Sequence, residues 1–486
     1  GYTFVDTTGL ELQFNASGRL IETNDRNGNA LDITYNANGQ IAHVIEADAP
    51  ERALTFTYTG IHITSISDGT GRTWTYSYTG NELAAVASPT DAQTPAAVEQ
   101  YAYYTDTARV GLLRQVTLPN GGVTTFSYYG DGRAYQVTDP DGFTDTYTYD
   151  LYDNLTAYTD ARGNTTTYGY NSQGEQTSIR FPDNATESFV WQNDLMTAST
   201  DVFGQTETYT YDARGNLTKD VDRAGNVTTY AYDPVYSQVT SINQPGGRVT
   251  TFTYDSHGNP IKITDALGNV TTMTYDSHGL VLTVTTPRGN QPGATGDFTT
   301  TYAYNDAGQV LTVTTGLPST VSYSYDNRGH LRSTTDEDGN TTTYEYDLID
   351  RLIQTTNALG DVTTYTYDAI GDLVATTDAL GRTTRSVYDP DRRLVEVINA
   401  DGSILTAGYD PVGNLVTSTD ELGRTTHTYY DDRNRAYATV TPDLAVSLAR
   451  YDGEGRLVAS TDPLGNVTTN AYDKLDRLVS TTDALG

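Results

Sequence analysis

The sequence contains no cysteine, so neither a disulfide framework nor a thiolate metal site contributes to its stability. Basic residues are also scarce: 29 Lys and Arg stand against 62 Asp and Glu, giving a net charge of −33. This excess of carboxylates argues against binding a nucleic-acid backbone or an anionic membrane surface, because both attract Lys and Arg. Hydrophobic residues make up only 36% of the chain, which argues against a single compact globule.

Long apolar runs are missing as well. No stretch of about 18 apolar residues is present, so the sequence predicts no membrane span. The first 20 residues lack the basic-then-apolar pattern of a signal peptide. An acidic, lysine-poor composition fits an extracellular or salty setting, although it also serves plain solubility.

The abundant residues are Thr, Gly and Tyr, with 85, 44 and 39 copies, and they follow an internal repeat. An aromatic residue, followed in most repeats by Asp or Asn, recurs about every 21 residues from Tyr149 to Tyr472. The spacing grows to 29 between Tyr275 and Tyr304, which predicts an insertion loop near residues 287–296. We expect one continuous repeat domain of about 22 units, degenerate over residues 1–127 and regular over residues 128–486.

Each regular repeat contains two tight turns. In the repeat from Tyr367 onward, Asp368 and Gly371 delimit a first turn, and Asp378 and Gly381 delimit a second turn. Asp at position one accepts local backbone N–H groups, and Gly at position four adopts the left-handed conformation of a following bulge. The segments between the turns have strand length and alternate, so that Tyr365 and Tyr367 share one face.

This pattern predicts an all-β fold, a continuous antiparallel meander of hairpin units. Neighbouring strands twist by about 20–25°, so a sheet this long should coil into a spiral β-shell or a rod. We expect the Tyr and Leu face to point inward, because the other face is mostly Thr with scattered charge.

The repeat resembles the YD repeat of the Rhs family. The resemblance is carried by Tyr211-Asp-Ala-Arg-Gly-Asn-Leu217 and Thr264-Asp-Ala-Leu-Gly-Asn-Val-Thr-Thr272, and it covers nearly the whole chain. The family includes bacterial polymorphic toxins, C components of insecticidal toxin complexes, wall-associated proteins and teneurins. The resemblance implies a β-cocoon, which in the toxin members encloses a C-terminal toxic polypeptide.

The chain also departs from those toxins. Toxin members end the cocoon with an Asp-Pro-x-Gly-Leu self-cleavage motif, whereas Asp462-Pro-Leu-Gly-Asn466 has Asn in place of Leu and occupies an ordinary turn. We therefore expect a non-catalytic shell segment of a secreted or cell-surface protein, with a toxin or other cargo encoded beyond residue 486. The alternatives are an extracellular fibre or adhesin that self-associates through further repeats, and a carbohydrate-binding surface module.

Candidate sites are few. The sequence has no Gly-x-Ser-x-Gly, His-Glu-x-x-His or Walker motif, so we expect neither an enzyme nor a cofactor. The best calcium candidates are Asp336, Asp338 and Asn340, although Asp-x-x-Gly is already explained by turn formation and the closing Glu of an EF-hand is missing. Sequons that would permit glycans follow from the repeat itself and lie at Asn15, Asn154, Asn164, Asn184, Asn216, Asn226, Asn269, Asn340 and Asn466.

Overall fold

The chain is all-β. A computed structural model describes residues 1–91, 94–294, 298–316 and 319–486, and within these ranges it contains 45 strands of one sheet and no helix. The described residues thus include no helix that could cross a membrane. The predicted antiparallel all-β fold is confirmed. Residues 295 and 296 of the predicted insertion loop lie outside the described ranges, and residues 287–294 of that loop contain no strand.

The strands follow one another in chain order with short connections. The first fifteen are β1 Tyr2–Val5, β2 Glu11–Phe14, β3 Leu20–Asn24, β4 Ala30–Tyr35, β5 Ile41–Glu46, β6 Ala49–Thr59, β7 His62–Asp68, β8 Thr73–Thr79, β9 Glu82–Ala87, β10 Val98–Tyr103, β11 Leu113–Thr117, β12 Val123–Tyr128, β13 Ala134–Thr138, β14 Thr144–Tyr149 and β15 Leu155–Thr159. The next fifteen are β16 Thr165–Tyr170, β17 Gln176–Arg180, β18 Thr186–Gln192, β19 Leu195–Thr200, β20 Thr206–Tyr211, β21 Leu217–Val221, β22 Val227–Tyr232, β23 Val239–Gln244, β24 Arg248–Tyr254, β25 Pro260–Thr264, β26 Val270–Tyr275, β27 Val281–Thr285, β28 Thr299–Tyr304, β29 Val310–Thr315 and β30 Ser319–Tyr325. The last fifteen are β31 Leu331–Thr335, β32 Thr341–Tyr346, β33 Leu352–Thr356, β34 Val362–Tyr367, β35 Leu373–Thr377, β36 Thr383–Tyr388, β37 Leu394–Ile398, β38 Ile404–Tyr409, β39 Leu415–Thr419, β40 Thr425–Tyr430, β41 Ala436–Val440, β42 Val446–Tyr451, β43 Leu457–Thr461, β44 Val467–Tyr472 and β45 Leu478–Thr482.

The two turns of a repeat produce two kinds of hairpin. Across a second turn the register is regular, as between β35 and β36, where Thr377 pairs with Thr383. Across a first turn the register slips at the repeat tyrosine, so that Tyr346 of β32 pairs with Leu352 of β33 after a bulge. Because a bulge increases local strand twist, the repeat adds twist once in every two strands.

The sheet is a single layer with very little fully buried surface. Among the residues described, the apolar side chains that are buried are those of Ala49, Pro89 and Ala459. In β34, Tyr365 and Tyr367 are half-buried whereas Thr366 between them is exposed, so the tyrosine face is the more buried of the two. Stability therefore rests on backbone pairing and on contacts between neighbouring side chains. The inward orientation of this face stays a prediction.

The chain divides into two compact units. Unit 1 comprises residues Gly1–Val98 and Thr228–Tyr365, and unit 2 comprises Glu99–Val227 and Thr366–Gly486. Each unit thus contains two segments that are far apart in sequence. The predicted change from degenerate to regular repeats at residue 127 stays a prediction.

Candidate functional site

The second turn at Asp378 shows how the repeat closes its hairpins. One carboxylate oxygen of Asp378, Oδ1, accepts the backbone N–H groups of Leu380 and Arg382, both at 3.0 Å. Gly381 has a φ of +77°, in the left-handed region, and donates its N–H to the Asp378 carbonyl at 2.9 Å. No atom lies within 4 Å of a Cβ built on Gly381, so backbone conformation rather than space calls for glycine here.

The first turn at Asp368 has the same geometry. Asp368 Oδ1 accepts the N–H groups of Ile370 at 3.0 Å and Asp372 at 2.9 Å, and Gly371 has a φ of +95°. Asp372 in turn accepts two hydrogen bonds from Arg392 of the next repeat, at 3.0 and 2.7 Å. The turn carboxylates are thus occupied in holding the backbone, which favours a structural role.

The residue after the turn glycine completes the turn. Arg382 donates from Nε to Asp378 Oδ2 at 2.7 Å, and this hydrogen bond holds the pKa of Asp378 below its usual value. Asn serves the same purpose elsewhere. The Asn residues that donate from Nδ2 to the turn carboxylate are Asn29, Asn154, Asn164, Asn216, Asn226, Asn259, Asn269, Asn340, Asn414 and Asn466. This fifth turn position was not predicted from the sequence, although the regular Asn or Arg after the glycine could have revealed it.

The calcium candidates belong to such a turn. Asp336 Oδ1 accepts the N–H groups of Asp338 at 3.0 Å and Asn340 at 2.8 Å, while Oδ2 accepts Nδ2 of Asn340 at 3.0 Å. Both carboxylate oxygens of Asp336 therefore have protein partners. Within the described ranges, no group of three or more His, Asp or Glu side chains could hold a metal ion.

The repeat tyrosines form a hydrogen-bonded ladder along the more buried face. Their hydroxyls donate to the backbone carbonyl 15 residues earlier, or 23 residues earlier at Tyr304 after the insertion, at 2.7–3.2 Å. The members are Tyr35, Tyr211, Tyr254, Tyr275, Tyr304, Tyr325, Tyr388, Tyr409, Tyr430, Tyr451 and Tyr472. Each tyrosine thereby satisfies a carbonyl at the start of the neighbouring strand. Burial raises the pKa of Tyr275.

Trp191 takes the place of a tyrosine in this ladder. Its Nε1 donates to the Gln176 carbonyl at 2.7 Å, also 15 residues earlier. We expect Trp191→Phe to be less stable than Trp191→Tyr by about 1 kcal/mol in free energy of unfolding, because only Tyr supplies the donor. Urea unfolding of the two variants measures this difference. Equal stability of both variants would show that the ladder bond contributes nothing.

The threonines pair across the second-turn hairpins. Thr377 and Thr383 place their hydroxyl oxygens 2.8 Å apart, and other repeats keep the contact at 2.8–3.0 Å. The pairs elsewhere are Thr138–Thr144, Thr159–Thr165, Thr200–Thr206, Thr285–Thr299, Thr314–Thr320, Thr335–Thr341 and Thr419–Thr425. Cross-strand threonine pairs of this kind stabilise a sheet.

In unit 2, the second turns of residues 99–227 contact the first turns of residues 366–486. We call this contact the unit 2 interface. Asp183 Oδ2 lies 3.2 Å from Arg433 and 3.4 Å from Arg435. The Val202 N–H donates to Glu454 Oε1 at 3.0 Å. These partners are 250 to 252 residues apart in sequence, so two distant turn rows meet repeat by repeat.

Three carboxylates crowd together at one end of the unit 2 interface. Burial and the neighbouring carboxylates of Asp139 and Asp141 raise the pKa of Asp391 to about 7. Arg393 contacts Asp141 and lies 3.5 Å from Asp391, so one guanidinium serves more than one carboxylate. This site therefore favours binding a proton near neutral pH.

Unit 1 has an equivalent contact, the unit 1 interface, between turns of residues 1–98 and 228–365. Asn29 Nδ2 donates to the His278 carbonyl at 3.1 Å. Arg72 donates from Nη1 to both carboxylate oxygens of Asp350 at 2.5 Å and from Nε to Asp68 at 2.7 Å. Asp350 stands where most first turns have Gly, with a φ of +72°, and uses its carboxylate to bind the facing turn.

Two family models match the chain. The teneurin YD-shell model matches residues 222–386 and 292–440, and the RHS repeat model matches residues 128–165, 149–186, 191–225 and 451–486. None of the curated proteins compared with the chain matches it.

Several solved structures are similar to the chain. A crystal structure containing TcdB2-TccC3 is similar over 98% of this chain and 29% of its own, at 15% identity and a TM-score of 0.51, which shows the fold alone. A TcdB2-TccC3 crystal structure without the hypervariable C-terminal region has 14% identity, covers 98% of this chain and 29% of its own, and has a TM-score of 0.48. The Photorhabdus luminescens Tc holotoxin pore has 14% identity, coverages of 96% and 26%, and a TM-score of 0.47. The chain spans less than a third of these solved chains. With two family models and the fold in agreement, the chain belongs to the RHS/YD-repeat family.

Proposed function

We propose that this chain is a structural wall segment that encloses a C-terminal toxin or another polypeptide cargo encoded outside these residues. The observation that carries the proposal is the interface in each unit, where a row of second turns binds a row of first turns far away in sequence. A single-layer sheet would otherwise leave a gap wherever its strands end. Turn rows that bind each other close that gap, as a wall requires.

The chemistry of the turns and tyrosines supports a passive role. The carboxylates of Asp378 and Asp336 hold backbone N–H groups, and the ladder hydroxyls bind carbonyls. We place the protein outside the cell or on its surface, because family relatives are secreted or surface proteins and an acidic, lysine-poor composition fits that setting.

A protease-protection assay tests the enclosure. An unfolded reporter polypeptide fused after Gly486 should be cleaved at least about tenfold more slowly than the same reporter added separately, because a protease reaches enclosed chain only in an open state. The matched control is Asp183→Ala, which removes the carboxylate bound by Arg433 and Arg435 and should shorten the protection. Equal cleavage of fused and separate reporter would contradict the proposal.

The fibre and the carbohydrate-binding module stay predictions. Sugar binding by the tyrosine ladder is the less favoured of the two, because the hydroxyls that would recognise a sugar already donate to backbone carbonyls, as at Tyr472.

A further inference from the structure

Two turns with the sequence Asp-Pro-Asp meet in the unit 2 interface. They are the second turn at residues 139–142 and the first turn at residues 389–392. In each turn the first Asp makes the turn bond, because its Oδ1 accepts the backbone N–H of the residue after the turn at 2.8 Å. Asp141 and Asp391 occupy position three, where other turns have residues as different as Leu, Arg and His. Turn formation therefore does not account for these two carboxylates.

Another contact of the same interface shows what position three can bind. Asp183 and Arg433 occupy position three of a second and a first turn, and Asp183 Oδ2 lies 3.2 Å from Arg433 Nη1. Asp141 holds the position of Asp183 in its own turn, but the facing position three carries Asp391 rather than an arginine. The same arrangement of turns is thus attractive at one place and repulsive at another.

The side chains around Asp391 are mostly acidic. Arg393 is 2.7 Å from Asp389 of its own turn and also contacts Asp141 across the interface. Its single charge is thus shared among carboxylates, and Asp391 lies 3.5 Å from it. A proton on this cluster therefore removes repulsion that the one guanidinium does not compensate. The other titratable or charged groups near Asp391 are Asp139, Asp145 and Tyr158 from the opposite segment and Arg392, which binds Asp372.

A second contact between like charges lies further along the interface. Glu187 of β18 faces Glu454 in the first turn at residues 452–455, and burial and the Glu454 carboxylate raise the pKa of Glu187. Glu454 is held at the interface because its Oε1 accepts the Val202 N–H at 3.0 Å. Two separate sites of one interface therefore favour the protonated form when the turn rows are together. The other charged groups that face Glu187 are Arg433, Asp201 and Arg223.

We propose that the unit 2 interface is a pH-dependent closure, which opens more readily as the pH rises while the hairpins on both sides stay paired. The closed interface binds more protons than the open one where Asp391 has its pKa raised from 3.8 to about 7. Loss of these protons between about pH 4 and pH 7 therefore shifts the equilibrium toward the open form. Turns such as that of Asp378, whose pKa is lowered, stay charged and formed over this range. The closure does not depend on whether the wall encloses cargo.

Hydrogen–deuterium exchange of the full chain from pH 5 to pH 8, corrected for the pH dependence of intrinsic exchange, tests the proposal. In peptides from the turns at residues 139–142 and 389–392, the opening constant should be at least about tenfold larger at pH 8 than at pH 5. An isolated group with this pKa shift would give roughly a hundredfold, and shared protonation lowers the effect. The Val202 peptide should change in the same direction, because its N–H bonds across the interface. The hairpin of β35 and β36 should not change.

Variants assign the effect to the two contacts. Asp391→Asn should remove most of the pH dependence at residues 139–142, and Glu187→Gln should do so at Val202. Asp391→Arg copies the contact of Asp183 with Arg433 and should keep both turns closed at pH 8. Glu421→Gln is the matched control, because it removes one exposed carboxylate from a second turn of the same unit and should leave the pH dependence unchanged.

Three results would overturn the proposal. One is an opening constant of the wild-type interface that does not change with pH. Another is a pH dependence as large in Asp391→Asn as in the wild-type chain. The third is loss of protection in the hairpin of β35 and β36 together with the interface, which would mean unfolding of the whole unit. Circular dichroism checks that each variant folds, and the wild-type pH series decides the first and third results without any variant.

Discussion

Asp391→Asn should raise the free energy of unfolding at pH 8 by roughly 2–4 kcal/mol and change it little at pH 4. Asp391 lies in the unit 2 interface beside Asp139 and Asp141, and its pKa is raised to about 7 from an ordinary value of 3.8. The folded state therefore binds more protons than the unfolded state between about pH 4 and pH 7, and stability falls as pH rises through that window. Asn carries no charge to repel the two carboxylates at any pH.

The expected gain in stability spans a range because three neighbouring carboxylates share their protons. A shift of about 3 pKa units corresponds to roughly 4 kcal/mol for an isolated group. The three carboxylates titrate together, and Arg393 stabilises their charged forms, so the effect of one substitution is smaller. Asp391 and Arg393 line a cavity that Asp145 and Tyr158 also border, and the Tyr158 hydroxyl donates to Asp145 Oδ2 at 3.0 Å.

Thermal or urea unfolding of wild type and variant at pH 4, 6 and 8 measures the effect. Asp443→Asn is the matched control, because Asp443 also occupies position three of a turn but has a pKa lowered by the Thr441 hydroxyl. Its substitution should not stabilise at pH 8. A stability difference between Asp391→Asn and wild type that is the same at all three pH values would contradict the assigned cause.

Arg72→Met should lower the free energy of unfolding of unit 1 by roughly 2–3 kcal/mol. The Arg72 side chain is 13% exposed and binds Asp68, which is 14% exposed, and Asp350, which is 39% exposed. Burial opposes its charge, but hydrogen bonds to Asp350 and Asp68 outweigh this and raise the pKa of Arg72. Removing the guanidinium leaves two carboxylates facing each other. The expected loss is below that of a fully buried pair because solvent screens Asp350.

Arg382 provides the matched control for Arg72. It holds the same fifth turn position and binds Asp378, but it is 65% exposed and makes no hydrogen bond or ion pair with another segment of the described chain. Arg382→Met should therefore lower the free energy of unfolding much less than Arg72→Met does. Arg72→Lys should recover only part of the loss, since a single ammonium cannot replace both the Nε that binds Asp68 and the Nη1 that binds Asp350. Urea unfolding measures the loss of stability in each variant, and limited proteolysis near residues 68–72 detects local opening at that turn. Equal losses of unfolding free energy for Arg72→Met and Arg382→Met would rule out a special role for the unit 1 interface.

Local features of the fold could be predicted from the sequence because each repeat contains the residues that form them. The Asp and Gly of each turn and the alternation in Thr363-Thr-Tyr-Thr-Tyr367 predict an antiparallel sheet, and the sheet is present. Residue types with obvious turn chemistry were recognisable. The Asn or Arg at the fifth position is evident only from its regular recurrence after the glycine, because a single Asn or Arg is common on any polar surface.

The interfaces could not be predicted in the same way. Asp183 and Arg433 stand 250 residues apart, and nothing in a 21-residue period says which turns face each other. Their partnership depends on how many strands separate them and on the accumulated twist, which single residues do not encode. The unusual carboxylate at Asp391 is likewise invisible until Asp139 and Asp141 are brought beside it.

The distance in sequence between interface partners also sets an order of assembly. Each hairpin joins residues fewer than twenty apart, so the sheet can zip up from local contacts, which form quickly. Bringing Val202 to Glu454 in a flexible chain means closing a loop of 252 residues, and each doubling of loop length adds about 0.6 kcal/mol. Once the intervening strands have paired, that loop is no longer flexible, and strand pairing has already offset most of the entropic cost of closing it. The hairpins are therefore the early events of folding, and the turn-to-turn contacts are the late ones and the first to open.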